Sequence, residues 1–373
     1  MKLTKEQLAF FTLVRAGLWE KEVQLSHLGA IDFSEVQRLT EEQSLVGLVA
    51  AGLEHITDIK VPKVDVLQFI GQALQVEQQN TAMNYFIGVL EDKMKEEGIR
   101  ALLVKGQAVA QCYERPAWRS CGDVDLLLDE ENYEKAKAFL TSIANDVHEE
   151  NPFDQHFSVN IQGRCVELHG TMRSMLTKRA DDYLEALQIE LFKEGRNRVW
   201  NNDGTQVLLP CPDDDVIFVF THILKHFFNY GIGLRQFCDL CRLVYTYHKE
   251  MDLALLESRL RSMGLMTEWK VFGSLAVNWL GMPEDTMPLY STNPSWKRKA
   301  NRVVSFVLDT GNFGHNRDNE YYRNANAIVR GIRSFWRHTC DSIRHTFIFP
   351  MDSVRIWFRV FFIGLNDVIK GKT

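Results

Sequence analysis

Two short apolar runs in the middle of the chain, at residues 99–104 and 123–128, constrain the fold more than any other feature of the sequence. The segment before them, residues 64–97, has apolar residues at helical spacing and ends at Gly98, which suits the left-handed position that closes a helix. Each run is too short for a packed helix and lies next to glycine, which is typical of a buried strand. The chain is therefore expected to hold a small sheet within helical surroundings.

The same reading along the rest of the chain predicts an α+β protein with a mixed sheet. Alternating patterns predict further strands at 157–161, 164–169 and 207–209, and helical spacing returns from residue 213 onward. The predicted regions are an N-terminal helical region at 1–88, the sheet-containing core at 89–210, and a C-terminal helical domain at 211–373 that encloses a cleft.

Two segments near the N-terminus carry the S/T-x-x-E/Q pattern of a capping box. In this motif the two side chains satisfy the free backbone amides at the start of a helix. Thr4 with Gln7 and Thr40 with Gln43 fit the pattern, so a helix is expected to begin after Thr4 and another after Thr40.

Composition is that of an ordinary globular protein, with 45% apolar and 25% charged residues. The sequence has no run of 18 apolar residues, so no membrane-spanning helix is predicted. The first residues lack the pattern of a signal peptide. Seven scattered cysteines favour reduced thiols and a cytoplasmic location. Residues 294–373 carry 14 Lys and Arg against 6 Asp and Glu, which either attracts a phosphate-rich partner or is simply solvated.

The second apolar run begins with two acidic residues, Asp123 and Asp125. Strand side chains alternate between faces, so both carboxylates project to the same side. Two carboxylates beside a buried strand repel each other, and a divalent cation is a natural compensation. The alternative is a strand end that carries two solvated acids.

Glu167 and His169 share one face of the strand predicted at 164–169. If this strand lies beside the aspartate strand, Glu167 becomes a third carboxylate at the same centre. Three carboxylates hold two metal ions in many phosphoryl-transfer sites. His169 then contacts a phosphate or supports a ligand, or it is a partly buried histidine with a structural role.

Lys105 and Gly106 follow the first predicted strand and open a turn into a short helix. Exposed amides at such a turn bind phosphate, and Lys105 would add a positive charge there. Arg119 lies in the loop before Asp123 and is a second candidate for a phosphate contact. Both cations are alternatively surface residues.

These motifs occur in a specific order: Gly-Ile-x-x-Leu-Leu-x-Lys-Gly at 98–106, Tyr113, Arg119, Gly-Asp-Val-Asp-Leu-Leu-Leu at 122–128 and Val-Glu-Leu-His at 166–169. The order resembles the uncharacterised bacterial nucleotidyltransferase family of the polymerase-β-like superfamily, over roughly residues 35–245. The superfamily usually has Gly-Ser where this chain, like the family it resembles and the related abortive-infection toxin enzymes, has Lys-Gly. The resemblance implies a nucleotidyltransferase-type core in which Asp123, Asp125 and Glu167 bind Mg²⁺ or Mn²⁺, with the Lys105-Gly106 turn near a nucleoside triphosphate.

A second region, from His222 to Asp239, resembles the helical C-terminal part of the same family. His222 and His226 share one helix face, and Arg235 and Asp239 are four residues apart and are expected to pair. A zinc-protease reading of the histidines fails because Ile223 stands where the catalytic glutamate is required. These residues either line the cleft opposite the carboxylates or have a purely structural role.

The expected activity is transfer of a nucleoside monophosphate group from NTP to an acceptor hydroxyl. The acceptor is unknown, and a small molecule is favoured over tRNA or protein. Two alternatives remain open: a toxin-like enzyme that modifies tRNA or protein, and a silent module that only binds nucleotide. No stable membrane association is expected, since the apolar segment at 356–365 reads as a terminal helix docked on the core rather than a membrane-surface helix.

Overall fold

The computed structural model describes residues 2–150, 155–314, 316 and 327–369. Its N-terminal region contains the helices α1 (Lys5–Trp19), α2 (Phe33–Glu42) and α3 (Val46–Leu53). Helices α1 and α3 pack closely where glycine leaves space. A Cβ atom on Gly17 would lie 1.9 Å from the carbonyl oxygen of Leu48, so this contact requires glycine.

The two predicted capping boxes have different outcomes. Thr4 accepts a hydrogen bond from the Gln7 amide and the Gln7 side chain accepts one from Thr4, which confirms the first. The prediction at Thr40 is wrong, because Thr40 lies inside α2 and donates its hydroxyl to the Val36 carbonyl oxygen. Tertiary burial of Thr40 overrides the local capping pattern.

Helix α4 (Lys63–Glu96) connects the N-terminal helices to the core. Its 34 residues span about 51 Å at the usual rise of 1.5 Å per residue. Phe69 in its first half packs in the apolar cluster of the helical regions, whereas Met94 near its end packs in the cluster of the sheet. The helix ends before Gly98, whose φ of +66° is the left-handed conformation expected from the sequence. The boundary proposed at residue 88 falls inside this helix and stays a prediction.

The core holds a five-stranded mixed sheet in the order β1-β2-β5-β4-β3. Strands β2 and β5 are parallel, and the other pairs are antiparallel. The predicted strand at 207–209 is part of β7, which pairs with β6 in a separate hairpin. The elements of the core are β1 (Leu102–Val104), α5 (Gly106–Ala110), β2 (Asp123–Leu127), α6 (Glu130–Ile143), β3 (Asp146–Val147), β4 (His156–Ile161), β5 (Arg164–His169), α7 (Lys178–Glu194), β6 (Asn197–Asn202) and β7 (Thr205–Pro210).

Strand β2 is buried on both faces, and its two faces meet different surroundings. Val124 and Leu126 point into the apolar cluster beneath the sheet. Asp123 and Asp125 are on the opposite face together with Leu127, which packs in the cluster of the helical regions. The alternation of a strand therefore directs the two carboxylates toward the C-terminal helices.

The C-terminal region is helical, as predicted. It comprises α8 (Pro212–Asn229), α9 (Leu234–Tyr247), α10 (Leu253–Met263), α11 (Met266–Asn278), α12 (Pro294–Thr310), α13 (Ala327–Thr346) and α14 (Pro350–Ile369). Arg242 on α9 donates to the Leu18 carbonyl oxygen, so this region packs directly on the N-terminal helices. Ile356 on α14 is buried in the apolar cluster of the helical regions, in line with a docked terminal helix. The side chains from 363 onward lie outside the described residues. No helix in the described ranges has the length and apolar character needed to cross a membrane.

Candidate active site

The parallel pairing of β2 and β5 brings three carboxylates together. In this register Asp125 lies directly beside Glu167, and Asp123 is two residues earlier on the same face of β2. One oxygen from each of Asp123, Asp125 and Glu167 lies within 4.8 Å of the other two. The strand neighbour that the sequence analysis required for Glu167 is therefore present.

The charges of these acids are unequally compensated. Burial opposes ionisation of Asp125, but the Lys105 ammonium and a hydrogen bond from His169 outweigh it and hold the pKa of Asp125 well below its usual value. The charge of Asp125, together with burial, raises the pKa of Asp123 to about 6. The three carboxylates thus carry more negative charge than Lys105 neutralises. This excess of charge and the convergence of the carboxylate oxygens suit a divalent cation.

Lys105 is the cation nearest to the carboxylates. Its Nζ lies 2.5 Å from Oδ1 of Asp125 and 3.3 Å from Nε2 of His169. Burial lowers the pKa of Lys105, yet Asp125 and Glu167 outweigh burial and keep that pKa above its usual value. Lys105 is therefore an ammonium group at neutral pH.

The backbone at the turn after β1 is unusual in two successive residues. Lys105 has φ of +55° and ψ of −143°, a conformation that is costly for a residue with a side chain. Gly106 follows with φ of +27°, and a Cβ atom there would approach the Cys121 sulfur to 3.1 Å. The strained turn places the Lys105 side chain over β2, which agrees with the tendency of such strain to occur at functional sites.

Two histidines on neighbouring antiparallel strands flank Glu167. His169 Nε2 lies 2.8 Å from Oδ1 of Asp125 and 3.7 Å from Oε2 of Glu167. His156 pairs with His169 in the β4–β5 register, and its Nε2 lies 3.0 Å from the same Glu167 oxygen. His156 was not predicted as a site residue. Gln162 and Gly163 form a turn signal between the strands predicted at 157–161 and 164–169, and extending that hairpin register back by one pair places the two histidines side by side.

Arg119 and Asp239 form a buried ion pair on the side of the site formed by α9. The Nε and Nη2 atoms of Arg119 donate to the two oxygens of Asp239 at 3.0 and 2.6 Å, and Tyr113 donates to Oδ1 at 2.7 Å. Asp239 pairs with Arg119 rather than with Arg235, so the expected pairing along the helix is wrong. Arg119, which is distant in the sequence, donates two hydrogen bonds to Asp239, whereas Arg235 donates to the Ser120 carbonyl oxygen.

Arg235 nevertheless belongs to the surroundings of the carboxylates. Its positive charge is close enough to Asp123 to lower the pKa of that acid, although Asp125 raises the same pKa by more. Burial and the neighbouring Arg119 lower the pKa of Arg235 itself. Contacts of Arg119, Arg235 and Asp239 with a nucleotide stay predictions.

Helix α8 covers the carboxylate face with a histidine pair. The Nε2 atoms of His222 and His226 are 2.9 Å apart. Burial, followed by the charge of Lys105, lowers the pKa of both rings, to about 3 for His226. His222 and His169 line a small cavity of about 20 Å³. The pair thus faces the site as neutral imidazoles.

Comparison with known proteins gives one family match that includes this arrangement. A family model described as an uncharacterised nucleotidyltransferase matches residues 29–281, a range that includes every site residue described above. A crystal structure of an antigenic nucleotidyltransferase-like protein from Paracoccidioides brasiliensis is similar at 16% identity and a TM-score of 0.30, over 48% of this chain and 86% of that one. A search among curated proteins found no match.

Proposed function

This chain belongs to the uncharacterised nucleotidyltransferase family and is therefore a transferase, and we propose that it moves a nucleoside monophosphate group from an NTP to an acceptor hydroxyl. The observation that carries the proposal is the convergence of Asp123, Asp125 and Glu167, with ligand oxygens within 4.8 Å. Mere binding of a nucleotide does not require three acids at one point. Their mutual repulsion is a cost that a metal-dependent reaction explains.

Asp123, Asp125 and Glu167 are the residues that would hold the metal, Mg²⁺ or Mn²⁺. When bound, such an ion supplies charge stabilisation at the α-phosphate and activates the attacking hydroxyl. Asp125 and Glu167 lie side by side in the register of β2 and β5, and either is placed to receive the proton of the attacking hydroxyl.

Lys105 is positioned to bind the triphosphate. Its ammonium group already lies among the carboxylates at 2.5 Å from Asp125, so it has the charge and the place to meet a phosphate oxygen beside them. Gly106 keeps the adjoining backbone free of a side chain. His222 and His226 line the opposite side without adding charge, because burial and Lys105 lower the pKa of both rings.

The test is transfer of label from α-³²P-labelled NTPs in a cell extract with Mg²⁺ or Mn²⁺. Asp123→Ala removes a ligand, while Asp146→Ala is a matched control on β3, where the side chain is exposed. We expect the native protein and Asp146→Ala to label the same acceptor and Asp123→Ala to label none. Equal labelling by Asp123→Ala would refute the mechanism.

One observation favours a large anionic acceptor such as tRNA as a second candidate. A groove of about 590 Å³ is lined by five cationic side chains and two acids, namely Arg173, Lys178, Arg179, Arg355, Arg359, Asp181 and Asp352. Arg173 also lines the small cavity beside His169, so the groove and that cavity lie on either side of one side chain. Label that is retained in ribonuclease-sensitive material would identify an RNA acceptor, whereas label in a small soluble product would exclude it.

A further inference from the structure

Glu167 belongs to a second group of metal-ligating side chains that the carboxylate centre does not include. One atom from each of His156, Glu167 and His169 lies within 4.8 Å of the other two. Of this group only His169 and Glu167 were expected near the site. His156 reaches it because β4 folds back against β5 and pairs His156 with His169.

The distances within this group suit a common ion. Oε2 of Glu167 lies 3.0 Å from Nε2 of His156 and 3.7 Å from Nε2 of His169. Two ligand atoms bound to one ion at about 2.0–2.2 Å are roughly 2.8–3.6 Å apart when they meet at right or tetrahedral angles. Only small side-chain movements are needed to bring three ligands around one ion.

The ligand types decide which ion fits. Mg²⁺ prefers oxygen ligands and rarely takes imidazole, whereas two histidines with one carboxylate are typical of zinc and other first-row transition metals. His156 is about one-third exposed, which leaves a route for an ion from solvent. We propose that His156, Glu167 and His169 bind a transition-metal cation that favours imidazole ligands, such as Zn²⁺, in a site that shares Glu167 with the carboxylate centre.

Sharing Glu167 connects the site to the proposed reaction, and this is the only respect in which the inference rests on the proposed function. An ion on the two histidines would compete with, or add to, an ion on the aspartates. His169 would also exchange its contact with Asp125 for the new ligand bond. The aspartates are not needed as ligands on the histidine side, so the two sites are separable by mutation.

The test uses Cu²⁺ alone as the probe, added at one equivalent without nucleotide, because imidazole ligands suit Cu²⁺ whereas carboxylate ligands suit Mg²⁺ and Mn²⁺. Electron spin-echo modulation detects the ¹⁴N nuclei of imidazole bound to Cu²⁺, and it needs no catalytic turnover. The native protein is expected to show nitrogen coupling, and Asp123→Ala is expected to retain it. A native spectrum without nitrogen coupling, or its loss in Asp123→Ala, would overturn the proposal.

A variant pair identifies the nitrogen ligands. His156→Ala should weaken the coupling and lower Zn²⁺ affinity, measured by calorimetry, by about tenfold or more. His148→Ala removes an exposed histidine of the same core and should change neither. Equal Zn²⁺ affinity in the native protein and His156→Ala would refute the assignment. If His156→Ala does not fold, the native spectrum still decides. Failure here leaves labelling by the native protein intact, and so it is distinguishable from failure of the proposed function.

Discussion

Asp123→Asn should stabilise the metal-free protein at neutral pH while it abolishes nucleotide transfer. Asparagine has nearly the same shape as aspartate but carries no charge. The charge of Asp125 and burial raise the pKa of Asp123 to about 6, against an ordinary value of 3.8. Ionised Asp123 therefore costs free energy in the folded state that it does not cost in the unfolded chain.

The size of this cost follows from the two pKa values. Each pH unit between them corresponds to about 1.4 kcal/mol, so the full penalty is about 3 kcal/mol. An acid with a raised pKa destabilises the fold above that pKa. The penalty is therefore absent well below pH 3.8, grows as pH rises toward about 6, and is complete above it. At pH 7.5 the variant should gain about 3 kcal/mol, and at pH 4.5 only about 1 kcal/mol.

The assay is urea denaturation followed by circular dichroism, with EDTA present, at both pH values. Asp146→Asn is the control, because Asp146 is exposed on β3 and should give no comparable gain. Addition of Mg²⁺ should then stabilise the native protein more than Asp123→Asn, since the variant lacks one ligand. A gain that is equal at the two pH values, or no gain at pH 7.5, would refute the reasoning from charge repulsion.

Three further outcomes follow from the contacts of the site and its scaffold. Arg119→Met leaves the buried Asp239 without its two hydrogen bonds from the guanidinium group. The free energy of unfolding in a urea titration should fall by about 3–5 kcal/mol, and a loss below about 1 kcal/mol would contradict the pairing. Lys105→Met should weaken NTP binding, measured by calorimetry, by about 10–100-fold, because a hydrogen bond to a charged group contributes about 1.5–3 kcal/mol. Unchanged NTP affinity would show that Lys105 does not bind the triphosphate. Gly47→Ala should destabilise by about 1–3 kcal/mol in the same urea titration, because its Cβ would lie 1.9 Å from a backbone carbonyl oxygen. Gly71→Ala is the control of opposite sign, since it meets open space inside α4 and should stabilise by about 0.5–1 kcal/mol.

Much of the site was predictable because strand alternation is a local property. The pattern at 123–128 put Asp123 and Asp125 on one face of a strand, and the structure has them there on β2. The same reasoning put Glu167 and His169 on one face of β5. The α+β fold class with its mixed sheet also follows from local patterns and is confirmed.

The partner of each side chain was not predictable in the same way. Asp239 was expected to pair with Arg235, one helical turn away, but it pairs with Arg119. The sequence at Thr40 matches the capping-box pattern, but Thr40 lies inside a helix. In both cases burial against distant segments outweighs a local preference that contributes only a few tenths of a kcal/mol to about 1 kcal/mol.

Local patterns in the sequence were enough to show which side chains share a strand face, and to locate most helices and five of the seven strands of the described residues, because backbone geometry repeats every two or 3.6 residues regardless of surroundings. Strands β3 and β6 were not predicted, and the parallel pairing of β5 with β2 and the return of His156 to Glu167 on β4 emerged only from the tertiary structure. Strand order and register depend on hydrogen bonds and apolar burial between segments far apart in the chain, and these are settled only when the whole core packs.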